Sequence, residues 1–423
     1  MRTRLLVQLI ALGLALPATA QEGTTEPERR ITAIRITGND TTQERVIRRE
    51  LALGIGDVAT AQALADTRQA IQDLGLFRRV VVEEVVEGDQ VLLVVAVREK
   101  RYLLPIPRLD GNSDGDYSYG AQLRWSNLWG LNHRMVAYVE QGEINSEADR
   151  DRERSARVSY TAPYVWDTPW TVGLYVNRTE QVTLDRQERA FDENFHQFQA
   201  LASYDLRDTR PRRGWILGGG VFWQHQETRG QFAPPPDGHA TALVATAEYQ
   251  DFHFNLYSQT GKSLVARAEY AGDGWLGSDY GYERLEATWR DYRAFGSREH
   301  QTVHFIAAGG VLTGGPRSRN AFELGGSSRM RGYDRDTIRG DSYWYLSGEY
   351  LRPLRWDWLR LLANVEVAGA RRNVFDEPQR SAYASVGLGL RARITWFVDI
   401  EIEAGVAMPL VGGDGPRFFA STL

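Results

Sequence analysis

The stretch AYASVGLGLRARITWFVDIEIEAGVA, residues 382–407, alternates between apolar and non-apolar side chains on both sides of a central aromatic pair. Before that pair the even positions are apolar, while the odd positions are mostly small or basic and include Arg391 and Arg393. After the pair the even positions are again apolar, and the odd positions are acidic or small: Asp399, Glu401, Glu403 and Gly405. A period of two predicts two β-strands, each with one apolar face.

The charged residues of this stretch are expected to pair across the hairpin. If the turn centres on Trp396, Arg393 lies opposite Asp399, and Arg391 lies opposite Glu401. Both ion pairs then belong to the face that points away from the apolar side chains. A water-soluble antiparallel sheet shows the same alternation as a transmembrane barrel with a wet interior, so both fold classes remain open at this point.

Other features favour the transmembrane barrel. Apolar segments repeatedly end in aromatic residues, for example Trp166, Trp170 and Trp358, as the interfacial girdles of barrels do. Residues 1–20 combine two arginines, a short apolar run and an Ala-Thr-Ala end, which predicts a secretory signal peptide. Residues 21–28 then form a short N-terminal segment, and the mature protein leaves the cytoplasm.

Residues 101–423 are predicted to form sixteen strands. All 12 Trp and all 19 Tyr lie beyond residue 101. The first strand is expected at 102–110 and the last at 416–423, with long polar outer loops at 142–153, 181–194 and 226–239. Long loops on one side and short turns on the other are typical of outer-membrane barrels. The predicted fold class is mostly β: a 16-stranded antiparallel transmembrane β-barrel preceded by one small α+β domain.

Composition excludes several classes of function. The 423-residue chain has a formal net charge of −5, which gives no indication of nucleic acid binding. It has no cysteine, so disulfides and cysteine metal sites are excluded. No apolar run after the signal peptide is long enough for a transmembrane helix. The 7 histidines form no cluster along the sequence, and we predict no metal site, no cofactor and no enzymatic activity.

Residues 29–100 have the order strand, helix, helix, strand, strand. A strand ends at Gly38, Thr41 and Glu44 form a capping box for the first helix, and the second helix runs from 60 to 74. A hairpin follows, whose second arm is nearly all apolar and is expected to be the central strand. The glutamate-bearing first arm is expected to be a sheet edge.

This order resembles a POTRA (polypeptide-transport-associated) domain. The resemblance implies a periplasmic domain that receives extended client polypeptides by adding them to its edge strand. The residues expected along that client-binding edge are Val80, Val82, Glu84 and Val86.

The most specific motif is FELGGSSRMRGYDRDTIRGDSYWYLSGEYLRPL, residues 322–354. It belongs to the longest predicted connection, 313–341, and runs directly into a strand. The segment resembles the sixth extracellular loop and following strand of the BamA/TamA-type outer-membrane superfamily, to which YDLRDTRPRRGW at 204–215 is also similar. The resemblance implies that the loop folds into the barrel lumen, where acidic wall residues hold its arginine. The corresponding motif residues are Gly325, Gly326, Arg331, Gly332 and Tyr333.

The acidic partner of Arg331 is not obvious from the sequence. The strand that supplies an aspartate in that superfamily has Val367 at the matching place, and Glu366 is expected to point to lipid or to pair differently. Candidate partners are therefore taken from neighbouring strands: Glu349, Asp399, Glu401 and Glu403. A buried guanidinium needs such partners; otherwise, Arg331 is simply a solvated loop residue.

The first predicted strand contains Pro105 and Pro107, whose missing amide donors fall on one strand edge. That edge is a candidate seam between the first and last strands, where the barrel could open sideways toward lipid. Alternatively, the two prolines belong to a linker before a strand that starts later.

The leading functional hypothesis is an outer-membrane protein that assists insertion or translocation of client polypeptides. Its expected partners are outer-membrane lipid, unfolded clients in the periplasm, and periplasmic or lipoprotein accessory factors. One POTRA-like domain favours an accessory or specialised role over general assembly. That single domain, with about eight residues before it, also argues against dedicated secretion, whose transporters typically have two POTRA domains and a plugging helix. The alternatives are dedicated secretion of one partner protein and a passive pore or structural barrel.

Overall fold

The computed structural model describes most of the chain between residues 30 and 422. The described ranges are 30–88, 90–111, 117–145, 150–184, 190–233, 238–315, 322–327, 329–333, 338–371, 382–398, 400–413 and 415–422. The predicted signal peptide, the segment 21–28 and Asp399 lie outside these ranges.

The N-terminal domain is an α+β unit with the predicted order of elements. Its elements are β1 (Ala33–Thr37), α1 (Glu44–Arg48), α2 (Ala61–Asp73), β2 (Phe77–Glu87) and β3 (Gln90–Glu99). The central strand β3 pairs in parallel with β1 and antiparallel with β2, which leaves β2 at a sheet edge. Fully buried Ile47, Ile71, Phe77 and Leu93 form the core between helices and sheet. No helix among the described residues is long and apolar enough to cross a membrane.

The start of α2 agrees with the prediction, whereas the start of α1 does not. Thr60 caps α2, because its hydroxyl accepts a hydrogen bond of 3.2 Å from the amide of Ala63. The predicted capping box of Thr41 and Glu44 is wrong. Instead, Glu99 of β3 accepts from the amides of Thr41 and Thr42 at 3.0 and 2.7 Å, so a strand carboxylate satisfies the donors ahead of α1.

The C-terminal region forms one antiparallel sheet of sixteen strands, which confirms the predicted fold class. In chain order the sheet strands are β4 (Leu103–Gly111), β5 (Tyr117–Leu128), β6 (His133–Asn145), β7 (Arg150–Ala162), β8 (Trp170–Leu184), β9 (Ala190–Asp205), β10 (Gly214–Arg229), β11 (Gly238–Asn255), β12 (Ser258–Ala271), β13 (Tyr282–Ala294), β14 (Thr302–Gly314), β17 (Ser342–Pro353), β18 (Leu359–Arg371), β19 (Tyr383–Arg393), β20 (Glu401–Pro409) and β21 (Arg417–Thr422). Two short strands, β15 (Phe322–Leu324) and β16 (Ile338–Gly340), pair with each other inside the long connection between β14 and β17.

Several strands extend further from the N-terminal domain than predicted. Of the polar segments expected as outer loops, 142–153 and 181–194 are mostly strand, and 226–239 is strand at 226–229 and 238–239. The prediction ended each strand where its apolar alternation stops. However, a backbone ladder continues beyond the apolar band, because polar side chains pair across strands just as well once both faces meet water.

Side chains alternate between the two faces of the wall as the sequence pattern predicts. Leu346, Val365 and Leu388 are 52%, 53% and 65% exposed on the outer face. Tyr345 and Glu366, their neighbours along the strands, are buried on the inner face at 2% and 0% exposure. The outer face is thus apolar and the inner face polar, as a barrel in lipid requires.

The hairpin at 382–407 has a different register from the predicted one. Arg391 pairs with Glu403 and Arg393 with Glu401, so the turn centres on Phe397 rather than Trp396. The turn is wider because the chain ahead of β4 binds it. The amide of Arg101 donates to the carbonyl of Trp396 at 2.8 Å, and Phe397 and Arg101 form a parallel bridge. The shift is two residues, so the charges stay on the inner face.

The N-terminal domain packs against several turns at one end of the barrel. Glu50 is 2% exposed and lies 2.7 Å from the guanidinium of Arg212 in the turn after β9. At the end of β11, the amide of Phe254 donates to Asp73 of α2 at 2.8 Å. Val398 of the β19–β20 turn belongs to the domain's own apolar core. These contacts place the domain across the barrel mouth.

Candidate functional site

The long connection after β14 enters the barrel and carries its own apolar anchor. Phe322, Leu324, Met330 and Ile338 are at most 4% exposed and pack against tyrosines of the inner wall. The loop closes on itself where the amide of Gly326 donates to the carbonyl of Tyr333 at 2.9 Å. Gly325 and Gly326 have φ angles of 135° and 85°, a region of backbone conformation that favours glycine.

Arg331, at the tip of this loop, is held by three glutamates of the barrel wall. The guanidinium is 4% exposed. Its nitrogens contact Glu349 of β17 at 2.7 Å, Glu366 of β18 at 3.0 Å and Glu403 of β20 at 3.1 Å. A guanidinium has five N–H donors in a planar fork, and here that fork joins the loop to three different strands.

Glu366 is the most heavily used of these acids. Besides the guanidinium, it accepts from the backbone amides of Met330 and Arg331 at 3.1 and 2.8 Å, and from the hydroxyl of Tyr345 at 2.8 Å. The expectation that Glu366 points to lipid or pairs differently is therefore wrong. Its own strand carried the signal: Val365 and Val367 share the apolar face, so Glu366 between them belongs to the inner face.

A second arginine brings the cluster closer to charge balance. Arg391 of β19 contacts Glu349 at 2.9 Å and Glu403 at 2.6 Å, and it is 4% exposed. Two guanidiniums thus face three buried carboxylates, and both shared glutamates are bonded from two sides. Buried charges persist only when paired and hydrogen-bonded in this way. We name Arg331, Arg391, Glu349, Glu366 and Glu403 the luminal charge cluster.

The other charged candidates lie outside this cluster. Glu401 pairs with Arg360 rather than with Arg331. Arg393 lies with its guanidinium 5.6 Å from the ring of Phe254, at the mouth covered by the N-terminal domain. Asp399 is not among the described residues.

Gly332 and Tyr333 fit the loop against β19 and the segment after β20. The hydroxyl of Tyr333 donates to the carbonyl of Val411 at 2.6 Å and accepts from the amide of Ala384 at 3.1 Å. A Cβ on Gly332 would lie 2.8 Å from the Cβ of Ser385. Glycine is thus required here by close approach of the loop to the wall.

We predict that Gly332→Ala loosens the loop. The added methyl overlaps the wall, and such overpacking costs about 1–3 kcal/mol. Thermal unfolding of the purified barrel should show a lower Tm. Gly332→Ala combined with Ser385→Gly removes the nearest crowding atom but leaves the backbone nitrogen of Pro409 at 3.1 Å, so it should recover part of the loss. An unchanged Tm in the single variant would contradict the close approach.

The cluster also touches the last strand. Phe419 of β21 is 1% exposed and its ring centroid lies 5.5 Å from the Arg331 guanidinium, within cation–π range. The hydroxyl of Ser421 donates to Glu403 at 3.2 Å. The loop arginine is therefore connected to the strand that ends the sheet.

The sheet has two free edges where its first and last strands lie. Among the described residues, β4 pairs only with β5, and β21 pairs only with β20. The carbonyl of Tyr102 accepts from Ser126 on the β5 side, whereas the amide of Arg101 donates on the opposite side. Alternation along the strand then turns the nitrogens of Pro105 and Pro107 away from β5. Both prolines lie within β4, so the linker interpretation is wrong.

The candidate client-binding edge is the β2 edge of the N-terminal domain. Val80 and Val82 contribute to its core, whereas Val86 near the end of the strand is 47% exposed. Glu84 is half-buried. Among the described residues, β2 has β3 as its one strand partner, so its other edge offers backbone donors and acceptors.

The contact between the domain and the barrel was not predicted. Arg212 approaches Glu50, and its guanidinium also lies 4.9 Å from the ring of Tyr164. Burial raises the pKa of the Tyr164 hydroxyl. The arginine-rich motif at 204–215 is its only sequence signal. His196, His225 and His239, which are far apart in the sequence, lie side by side on three neighbouring strands.

Comparison with known proteins assigns both parts of the chain. The family model "Surface antigen variable number repeat" (POTRA) matches residues 29–100, and the "Omp85 superfamily domain" matches residues 127–415. The outer membrane protein assembly factor BamA of Neorickettsia risticii (strain Illinois) is 30% identical over 190 residues, which is 42% of this chain. The match spans 23% of that relative's length.

Solved structures show the same fold at low sequence identity. CdiB from Escherichia coli superposes with a TM-score of 0.64 at 16% identity, covering 93% of this chain and 76% of that structure. BamA from Haemophilus ducreyi lacking POTRA domains 1–3 superposes with a TM-score of 0.55 at 15% identity, covering 93% and 85%. Both resemblances concern the fold.

Proposed function

The chain belongs to the Omp85 superfamily and is an outer-membrane β-barrel protein with a POTRA domain, and we propose that it assists insertion or translocation of client polypeptides at the outer membrane. In this proposal the POTRA domain receives unfolded clients in the periplasm. The barrel then offers them a seam between β4 and β21, and no chemical step is required.

The observation that carries the proposal is the free edge of β4. Pro105 and Pro107 remove two amide donors from that edge, so any pairing of β4 with β21 has fewer hydrogen bonds than an ordinary barrel ladder. An unfolded strand in lipid has unsatisfied backbone groups, each costing several kcal/mol. A weak seam can open to pair with such a strand and relieve that cost.

The β2 edge supports the first step of this route. An extended client segment can add to β2 by main-chain hydrogen bonds, with side-chain pockets contributing selectivity. The POTRA domain packs against the barrel mouth through Glu50 and Asp73, which brings captured clients close to the membrane. Accessory factors, whether periplasmic proteins or lipoproteins, would act on the same domain.

Two alternative functions make different use of the lumen. Dedicated export of one partner protein requires a path past the Arg331 loop, which fills part of the lumen with buried apolar side chains. A passive pore leaves the free edges of β2 and β4 without a role. Neither alternative explains why two prolines lie on one edge of the first strand.

Deleting the gene and measuring outer-membrane and secreted proteomes in parallel tests the proposal. We expect the amounts of several β-barrel proteins in the outer membrane to fall, because unassisted insertion leaves strand edges unsatisfied. Loss of a single secreted protein instead would establish dedicated export, and no change in either fraction would favour the pore. A strain complemented with the wild-type chain serves as the control.

A further inference from the structure

The outer face of the barrel carries three aligned histidines, although the whole chain has only 7. His225 of β10 lies directly opposite His196 of β9 and His239 of β11 in the strand register. The ring centroids are 6.4 Å apart on one side and 6.3 Å on the other. This row lies toward the end of the barrel opposite the POTRA domain.

The row borders the apolar band of the barrel. Phe198 and Trp223 are opposite each other one step nearer the middle of the wall, and Phe198 is 39% exposed. Aromatic residues of this kind mark the interface between membrane and water. The histidines therefore lie at the water-facing rim on the cell exterior, where ions in the medium reach them.

Carboxylates lie beside the imidazoles. The Oε1 atom of Glu227 is 3.5 Å from Nε2 of His225, while its other oxygen is held by Arg229 at 3.0 Å. Asp279 contacts Nδ1 of His239 at 2.9 Å. Glu227, Asp279 and Arg229 together leave a net charge of −1 beside the row, which favours a cation over a phosphate group.

We propose that His225, Glu227 and His196 form a binding site for a divalent transition-metal ion such as Zn²⁺ or Ni²⁺. A separation of 3.5 Å is long for a hydrogen bond, but it matches the spacing of two ligand atoms on a tetrahedral ion, about 3.4 Å for bonds of about 2.0–2.2 Å. His225 and Glu227 are two residues apart on one strand, so both project from the same face.

Ion binding completes the site by a small side-chain movement. Among the residues that the structure describes, no three imidazole or carboxylate groups already converge on one point. Two imidazoles on one tetrahedral ion have ring centroids about 5 Å apart, so His196 must approach His225 by roughly 1 Å. Its ring, now inclined by 29° to that of His225, must also rotate to turn a nitrogen toward the ion. The side chain of His196 is only half-buried, which leaves room for that rotation. His239, held by Asp279, borders the site on the other side.

The test uses the full chain, purified in detergent without a polyhistidine tag and stripped of metal with a chelator. Zn²⁺ or Ni²⁺ is then added, bound metal is counted after gel filtration, and affinity is measured by competition with a coloured chelator. We expect one ion per chain. His225→Ala should weaken binding at least about a hundredfold, as loss of a ligand exceeds the 10–100-fold effect of losing a supporting group. Glu227→Gln and His196→Ala should also weaken it.

His300→Ala is the matched control, because His300 lies in a turn at the opposite end of the barrel and should leave binding unchanged. The proposal is overturned if the His196→Ala/His225→Ala double variant binds as much metal as the wild type, or if the wild type binds none. Circular dichroism of each variant verifies that the barrel is folded. Histidine-dependent retention of phosphorylated glycolipid without bound metal would likewise overturn the cation assignment.

Discussion

Replacing Arg331 by alanine should destabilise the barrel more than any other single change in the loop. The substitution leaves Glu349, Glu366 and Glu403 buried with one arginine, Arg391, to balance three carboxylates. Removing one partner from a buried, hydrogen-bonded ion pair costs on the order of 3–5 kcal/mol. We expect a large fall in Tm and a greater fraction of chains that migrate as unfolded in unheated gel samples.

Two further variants distinguish the effect of the lost charge on stability from the effect of the lost side-chain volume. Arg339→Ala removes an arginine of the same loop that pairs with Glu323 at the surface; since exposed pairs contribute about 0–1 kcal/mol, its effect should be small. Arg331→Met combined with Glu366→Gln restores the wild-type net charge of the cluster, with one carboxylate in excess, and should recover part of the stability. If Arg331→Ala and Arg339→Ala behaved alike, the loop arginine would not be held as described.

Locking the seam should abolish assistance to clients while leaving the fold intact. The chain has no cysteine of its own, so cysteines placed at Leu103 in β4 and Thr422 in β21, on the two free edges of the sheet, can be treated with a short bis-maleimide and the joined fraction measured. If clients enter through this seam, the amounts of β-barrel proteins in the outer membrane should fall to those of the deletion strain.

A crosslink between strands that already pair is the matched control. Leu103 lies opposite Trp125 of β5 in the register, so joining cysteines at these two positions should leave activity unchanged. Full activity after efficient joining of β4 to β21 would rule out lateral opening as the route. Because the crosslink tests the seam and the deletion tests the function, the two failures can be told apart.

The alternation of side chains is the reason that the sequence predicts the barrel so well. Each strand buries one face in lipid and one in the lumen, so residues such as Leu388 and Arg391 reveal their faces by position alone. Glycine doublets and the Arg-Gly-Tyr motif likewise predict a bent loop. Strand ends are predicted less well, because the ladder continues where the apolar pattern has stopped.

The partners of Arg331 could be predicted only in part. Glu349 and Glu403 were candidates because each lies on the polar face of its strand. Glu366 is not among the candidates, because Val367 rather than Glu366 aligns with the aspartate of the superfamily, although the alternation of its own strand places Glu366 inside. Which acids reach one guanidinium depends on how far β17, β18 and β20 are staggered relative to one another. That stagger is set by the barrel as a whole and cannot be read from the residues of one strand.

Contacts between distant segments were also invisible in the sequence. The docking of Glu50 against Arg212 joins residues that lie 162 positions apart. The histidine row likewise depends on the register of three strands. The first arises from the placement of the POTRA domain at the barrel mouth, and the second from the pairing register of β9, β10 and β11.

The most direct test of the central claim is a disulfide between the loop and the wall. In the described conformation, a Cβ at position 332 lies 2.8 Å from that of Ser385, so Gly332→Cys and Ser385→Cys should join after a small relaxation toward the about 3.8 Å of ordinary disulfides. The control pair, Leu346→Cys with Ser385→Cys, lies on opposite faces of the wall and should stay reduced. With the loop seated in the lumen, most chains isolated from the outer membrane should carry the 332–385 bond, since they pass through the oxidising periplasm during assembly. Free thiols at both positions, labelled by a maleimide added outside the cell, would show that the arginine loop lies outside the barrel.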